Sequence, residues 1–148
     1  MLVRVWRWAI VLAGCGAPVC SLDNAVAEVG QPNMDCGSAS SSSPTTLPDE
    51  TSFRAAHDCL AAAFTARTPV IARWFTPSID SGDVGAWIGV AEGTGYAIYE
   101  IVGGGMTVDE RTTTRRCASI ADHGACATVL SDLCFTCETS ITTASCGR

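Results

Sequence analysis

Residues 84–102 read VGAWIGVAEGTGYAIYEIV, two apolar runs on either side of Glu92-Gly93-Thr94-Gly95. β-Branched and aromatic residues suit a pleated surface, and a compact glycine-bearing connection lets the chain reverse, so the stretch reads as a β-hairpin. Just upstream, Val70, Ala72 and Trp74 alternate with Ile71, Arg73 and Phe75, which predicts a strand over 70–76 with apolar groups on both faces. Downstream, Gly103-Gly104-Gly105 offers a second reversal into a strand over 106–112.

The segment ahead of these strands carries the other period. Over 49–67, Phe53, Ala56, Leu60, Ala63 and Phe64 fall on one face at about 100° per residue, and Arg54, Asp58, Ala62 and Thr65 fall on the other. Thr46, Pro48 and Asp49 supply start signals and Thr68-Pro69 a stop. Alanines at 55, 56, 61, 62, 63 and 66 permit close approach to a sheet, and Cys59 stands where it can staple the helix to the later cysteines. The expected fold class is α+β: one amphipathic helix packed on a short antiparallel β-meander, followed by a disulfide-rich C-terminal segment. Residues 49–148 form a single small disulfide-stabilised domain on this reading.

The C-terminal segment is defined by the spacing of Cys117, Cys126, Cys134, Cys137 and Cys146. Loops stapled by bridges are expected there, because Ile120, Val129, Leu130, Leu133 and Phe135 supply little more than one short helix. The Cys134-Phe135-Thr136-Cys137 pair also admits a dithiol redox reading or part of a four-thiolate zinc site. No βαβ setting and no second CxxC accompany it, so structural disulfides are the leading reading and no metal or other cofactor is assigned.

Toward the N-terminus, residues 37–48 read GSASSSSPTTLP, too poor in apolar surface to offset the entropy of ordering, and are taken as a flexible tether. A Cys20–Cys36 bridge ahead of it would close a loop of about 15 residues, which is worth near 3 kcal/mol in the chain-entropy model. Before that, Arg4 and Arg7 precede a short apolar run from Trp8 to Leu12 and then Leu12-Ala13-Gly14-Cys15. This arrangement resembles the lipobox of a bacterial lipoprotein signal peptide, and the resemblance covers residues 1–15 only. It implies removal of residues 1–14, a lipid on Cys15, and a lipidated, tethered segment over 15–48. Gly16 in place of an aspartate implies the outer membrane under the familiar sorting rule. Ordinary secretion, with cleavage after Ala25-Val26-Ala27, is the alternative. Lipidation of Cys15 leaves an even set of eight cysteines: Cys20, Cys36, Cys59, Cys117, Cys126, Cys134, Cys137 and Cys146. Cleavage after Ala27 leaves an odd set.

The 148-residue chain has a net charge of −6 and contains no lysine, and the chain from Cys15 sets seven arginines against fifteen acidic residues. Such a surface repels phosphate backbones, so no nucleic-acid partner is expected and membrane contact falls to the lipid on Cys15. Arg111, Arg115 and Arg116 form the basic cluster, a candidate contact for an anionic ligand or an envelope protein. Trp74, Trp87, Tyr96 and Tyr99 occupy strand positions, where packing beneath the helix competes with a ligand-binding face. His57 lies on the helix's apolar side as a packing residue. His123, beside Asp122, reads as part of a turn or, less simply, as a base orienting Ser119. Asp80 with Asp83, and Asp109 with Glu110, read as solvated charges. No catalytic residue is assigned. The expectation is a monomeric, non-catalytic binding or structural module of the envelope, with a small exported enzyme using Cys134 and Cys137 or His123 as the alternative.

Overall fold

The computed structural model describes residues 20–40, 50–77, 82–105, 111–124 and 132–147. Six strands make one mixed sheet in chain order: β1 (Met34–Ser40), β2 (Val70–Pro77), β3 (Gly82–Glu92), β4 (Gly95–Gly105), β5 (Arg111–Asp122) and β6 (Phe135–Gly147). Strand β1 runs parallel to β2 and every other neighbour is antiparallel. Two helices complete the fold, α1 (Leu22–Val29) and α2 (Glu50–Ala66), with a short 3-10 turn over Asp132–Cys134.

Helix α2 is the crossover between β1 and β2, the connection that a parallel pair requires. Its Phe53, Ala56, Leu60, Ala63 and Phe64 are buried against Val70, Ala72, Trp74 and Trp87. The helix ends where Arg67 turns into the left-handed region and Thr68 N–H reaches back to the Ala63 carbonyl at 2.9 Å. Close approach is possible because glycines lie under the large rings. A Cβ on Gly85 would sit 2.3 Å from the Trp74 ring, and one on Gly89 would sit 1.8 Å from the Tyr96 hydroxyl.

The opposite face of the sheet is apolar too, since strand pairing aligns Ile71, Ile88, Ala86 and Ile101 there. Helix α1 covers it. Leu22, Ala25, Val26 and Val29 recur at the helical spacing and pack on that second cluster. Ser21 caps the helix by accepting from Asn24 N–H at 3.1 Å, and Gly30 closes it through its N–H to the Val26 carbonyl.

The expectation of a single helix on an antiparallel meander is thereby overturned: the sheet is mixed, has six strands and carries a helix on each face. The expected tether differs as well. Leu22–Val29 and Met34–Ser40 are folded elements, because Ala25, Val26 and Ala39 are buried in the core. The C-terminal segment is two long strands rather than stapled loops. Gly103–Gly105 continue β4 instead of reversing it, and the strand after them begins at Arg111.

Three disulfides join distant parts of this frame: Cys20–Cys146, Cys36–Cys59 and Cys117–Cys137. Cys134 is disulfide-bonded as well. The bridge considered between Cys20 and Cys36 does not form, and Cys59 staples α2 to β1 rather than to the C-terminal cysteines. A chain so bridged belongs to an oxidising, extracytoplasmic environment.

Replacing Gly85 with alanine drives a methyl group into the rigid indole of Trp74, so Gly85→Ala is expected to lose about 1–3 kcal/mol of stability. A fall in the urea midpoint at unchanged m-value reads this out.

Candidate functional site

Both histidines of the chain come to one end of the sheet. His57, buried on α2, lies with Nε2 2.9 Å from Asp122 Oδ1 and Nδ1 3.1 Å from Asp58 Oδ1. Its ring stacks on Phe135 at a centroid distance of 4.9 Å. Asp122 ends β5 and also accepts from Gly124 N–H at 2.7 Å. Burial works against its charged form, but the Gly124 N–H, the His57 ring and the nearby His123 outweigh it and hold the Asp122 carboxyl below its ordinary value. His123 places Nε2 2.9 Å from Thr136 Oγ1, not against Ser119, and its backbone N–H bonds the Cys134 carbonyl.

What this cluster can do follows from counting donors and acceptors. A general base needs one imidazole nitrogen free to face the substrate, and both nitrogens of His57 face carboxylates. His57 therefore joins α2 to the end of β5 as a clamp. The His123–Thr136 pair has the spacing of a base and a hydroxyl, but activation also needs a third group to orient the base. Among the described residues none bonds the other nitrogen of His123.

The arginine cluster separates on folding. Arg115 and Arg116 are successive residues of one strand and point to opposite faces. Arg115 pairs with the buried Glu100 at 3.2 Å, and Arg116 pairs with Glu92 at 2.9 Å. Glu92 also accepts from the Tyr99 hydroxyl. That bond does most to depress the Glu92 carboxyl, burial opposes it, and Arg116 adds to it. Tyr99 is raised in turn by burial and then by Glu92. Arg111 is exposed at the start of β5, opposite Gly147. Two of the three cations are thus committed to acids of the same fold, and the expected joint anion contact does not assemble.

The aromatic strand positions also divide. Trp74, Trp87 and Tyr96 lie beneath α2, where Tyr96 donates to the Thr68 carbonyl at 2.8 Å and burial pushes its hydroxyl up to about 12. Tyr99 lies on the α1 face. Cys137 is bonded to Cys117 and Cys134 to a different cysteine, so the two sulfurs of the CxxC do not form a dithiol pair. Among the described residues, no cluster of three or more His, Cys, Asp or Glu is arranged to hold a metal ion. Cys15, Cys126, Asp80, Asp109 and Glu110 lie outside the described residues, and Asp83 is exposed on β3.

One feature had no sequence signal. A cleft of about 640 Å³ opens between α1 and the β5–β6 edge, lined by Ser21, Asn24, Glu28, Thr112, Thr114 and the Cys20–Cys146 bridge, among others. Its walls come from residues more than a hundred positions apart, so only the fold could reveal it. No protein-family model matches this chain, and no curated protein or solved structure is significantly similar to it.

Two outcomes follow. Ionised Asp122 stabilises the fold above its ordinary value of 3.8, and that contribution is lost as pH falls through its lower folded value. Asp122→Asn should therefore be less stable than the parent at neutral pH, with the difference shrinking as pH falls below the ordinary carboxylate value and through the lower folded one in paired urea titrations. Without prior reduction, thiol alkylation of the folded protein should label neither Cys134 nor Cys137.

Proposed function

We propose that this chain is a lipid-anchored, non-catalytic binding or structural module of the bacterial envelope, attached through Cys15. The observation that carries the reading is the place of Cys20 and α1 in the fold. Cys20 is bonded to Cys146, and Ala25 and Val26 are buried in the core. Secretory cleavage after Ala27 would discard one sulfur of that bridge and all but the last two of the eight residues of the helix. A cut ahead of Cys20 keeps both, and Cys15 in Leu12-Ala13-Gly14-Cys15 supplies such a cut.

Cysteine arithmetic supports the same reading. Nine cysteines cannot all pair. With Cys20–Cys146, Cys36–Cys59 and Cys117–Cys137 assigned, the partner of Cys134 comes from Cys15 and Cys126. A thioether lipid on Cys15 commits Cys126 to Cys134 and leaves no odd thiol. Each buried methylene contributes about 0.8 kcal/mol, and stable attachment takes more than one chain, which a diacylglyceryl group provides. Among the described residues no helix is long and apolar enough to cross a membrane. Gly16 after the modified cysteine favours the outer membrane. The binding role, rather than catalysis, rests on the double engagement of His57 and the separate bridging of Cys134 and Cys137.

Expression of the full precursor in a bacterium with the lipoprotein pathway is expected to place the protein in the membrane fraction, and Cys15→Ser to release it. Intact mass should show the lipid adduct, and peptide mapping should recover a Cys126–Cys134 pair. Recovery of a Cys15–Cys134 peptide would overturn the reading.

A further inference from the structure

We propose that the cleft between α1 and the β5–β6 edge binds an alkylammonium group, the chemistry shared by a lysine side chain and a free aliphatic diamine. The proposal deepens the binding role given above and does not depend on the lipid at Cys15. At about 640 Å³ the cleft has the size of small-molecule sites, which run from roughly 300 to 1,000 Å³. Its floor is polar. Thr112 and Thr114 alternate with Thr113 on β5 and so share the α1 face, opposite Cys146 and Ala144 of β6. Both threonines are more than nine-tenths buried, at 5% and 4% exposure. Among the described residues neither hydroxyl makes a hydrogen bond, because the Thr143 hydroxyl donates to the Thr114 carbonyl and not to its side chain. Neither is sealed in the core either, since both residues line the cleft. A hydroxyl withdrawn from water without a partner is costly, and a guest that bonds the pair removes that cost.

One wall is α1. Ser21, Asn24 and Glu28 recur at spacings of three and four, so they form one stripe along the cleft. The Glu28 carboxylate is the single formal charge among the described lining residues. It stands in the last turn of the helix, which contains no basic residue. A carboxylate there adds to the negative end of the helix dipole, so local helix stability argues against it and a bound cation offsets both. The rest of the lining is aliphatic, with Ala25, Ala27 and Ala144 beside the Cys20–Cys146 bridge. Methylenes of a guest pack on such a surface while its charged head seeks polar partners. An ammonium has three donors and no acceptor, and Glu28 with the two threonine oxygens supplies acceptors for it. An anion finds no counter-charge among the described lining residues, and a nucleobase finds no aromatic ring to stack on. The chain contains no lysine, so a second copy cannot supply a lysine side chain.

The test uses the full-length, oxidised protein extracted from membranes into detergent micelles and read by amide chemical shifts. It is titrated with cadaverine and, separately, with an alanine-lysine-alanine tripeptide blocked at both ends. Saturable shifts centred on Asn24, Glu28, Thr112 and Thr114 are expected with at least one of the two. Tighter binding of the tripeptide identifies a lysine-bearing polypeptide as the source of the group, and tighter binding of cadaverine identifies a free amine. Glu28→Gln should weaken binding about tenfold or more, because the charged partner of the ammonium is lost. Thr112→Val and Thr114→Val keep the β-branched shape and remove only unpartnered hydroxyls, so each should weaken binding severalfold with the urea midpoint unchanged or raised. Acetylation of the lysine amine removes the charge and should abolish the shifts. Absence of saturable shifts with both amines, undiminished binding in Glu28→Gln, or equal binding of the acetylated tripeptide overturns the proposal. Intact mass of the same sample reports the lipid on Cys15. A missing adduct overturns the anchoring and leaves the cleft assignment standing, while an adduct without amine binding does the reverse.

Discussion

Strand β3 is buried on both sides, and that constraint organises the molecule. Trp87 faces α2, while Ala86 and Ile88 on either side of it face α1. Side chains alternate across a strand, so a central strand of this composition cannot be satisfied by one helix. The larger face receives α2, seventeen residues long and rich in alanine. The second receives α1, which has eight residues. A helix that short is marginal by itself, and its stability comes from the buried pair Ala25 and Val26 and from the bridge beside its first turn.

The disulfides lie where the apolar core thins out. Cys36–Cys59 ties edge strand β1 to α2, Cys117–Cys137 ties β5 to edge strand β6, and Cys20–Cys146 ties the first element to the last across 126 positions. In the chain-entropy account a loop that long is worth about 5 kcal/mol. From Glu138 to Ser145, β6 is exposed on both faces, so burial contributes little there and the bridges compensate. Register shifts around Thr114/Arg115 and near Ser119 break the regularity of that outer pair. Such bulges blunt an edge that would otherwise invite pairing with a further chain.

How much of this was legible depends on burial contrast. Helix α2 and the β3–β4 turn lie where periodicity and glycine place them, because each sets apolar against polar positions. The stretch Thr139-Ser140-Ile141-Thr142-Thr143-Ala144-Ser145 has no such contrast, since neither of its faces is covered. Its strand character rests on threonine and on the neighbour β5, which periodicity cannot see. Strand β1 reads as small polar residues, and its parallel partner β2 is more than thirty positions away. Helix α1 does carry the 22, 25, 26, 29 stripe, but eight residues close behind a stretch that resembles an export signal read as leader or tether. The His57–Asp122 contact spans 65 positions and leaves no local trace. The separation of Arg115 from Arg116, by contrast, follows from strand alternation once β5 is known to be a strand.

Charge placement argues for how the proposed anchoring works. Arg73 pairs with Asp35, Arg115 with Glu100 and Arg116 with Glu92, so at least three of the six arginines among the described residues are spent within the fold. The acidic excess remains on the surface, and anionic headgroups repel it over roughly a Debye length, about 8 Å at physiological ionic strength. A net acidic surface disfavours electrostatic association with anionic headgroups, and a peripheral mode with a single acyl chain would be marginal and reversible. The proposed anchoring therefore rests on a multi-chain lipid rather than on charge.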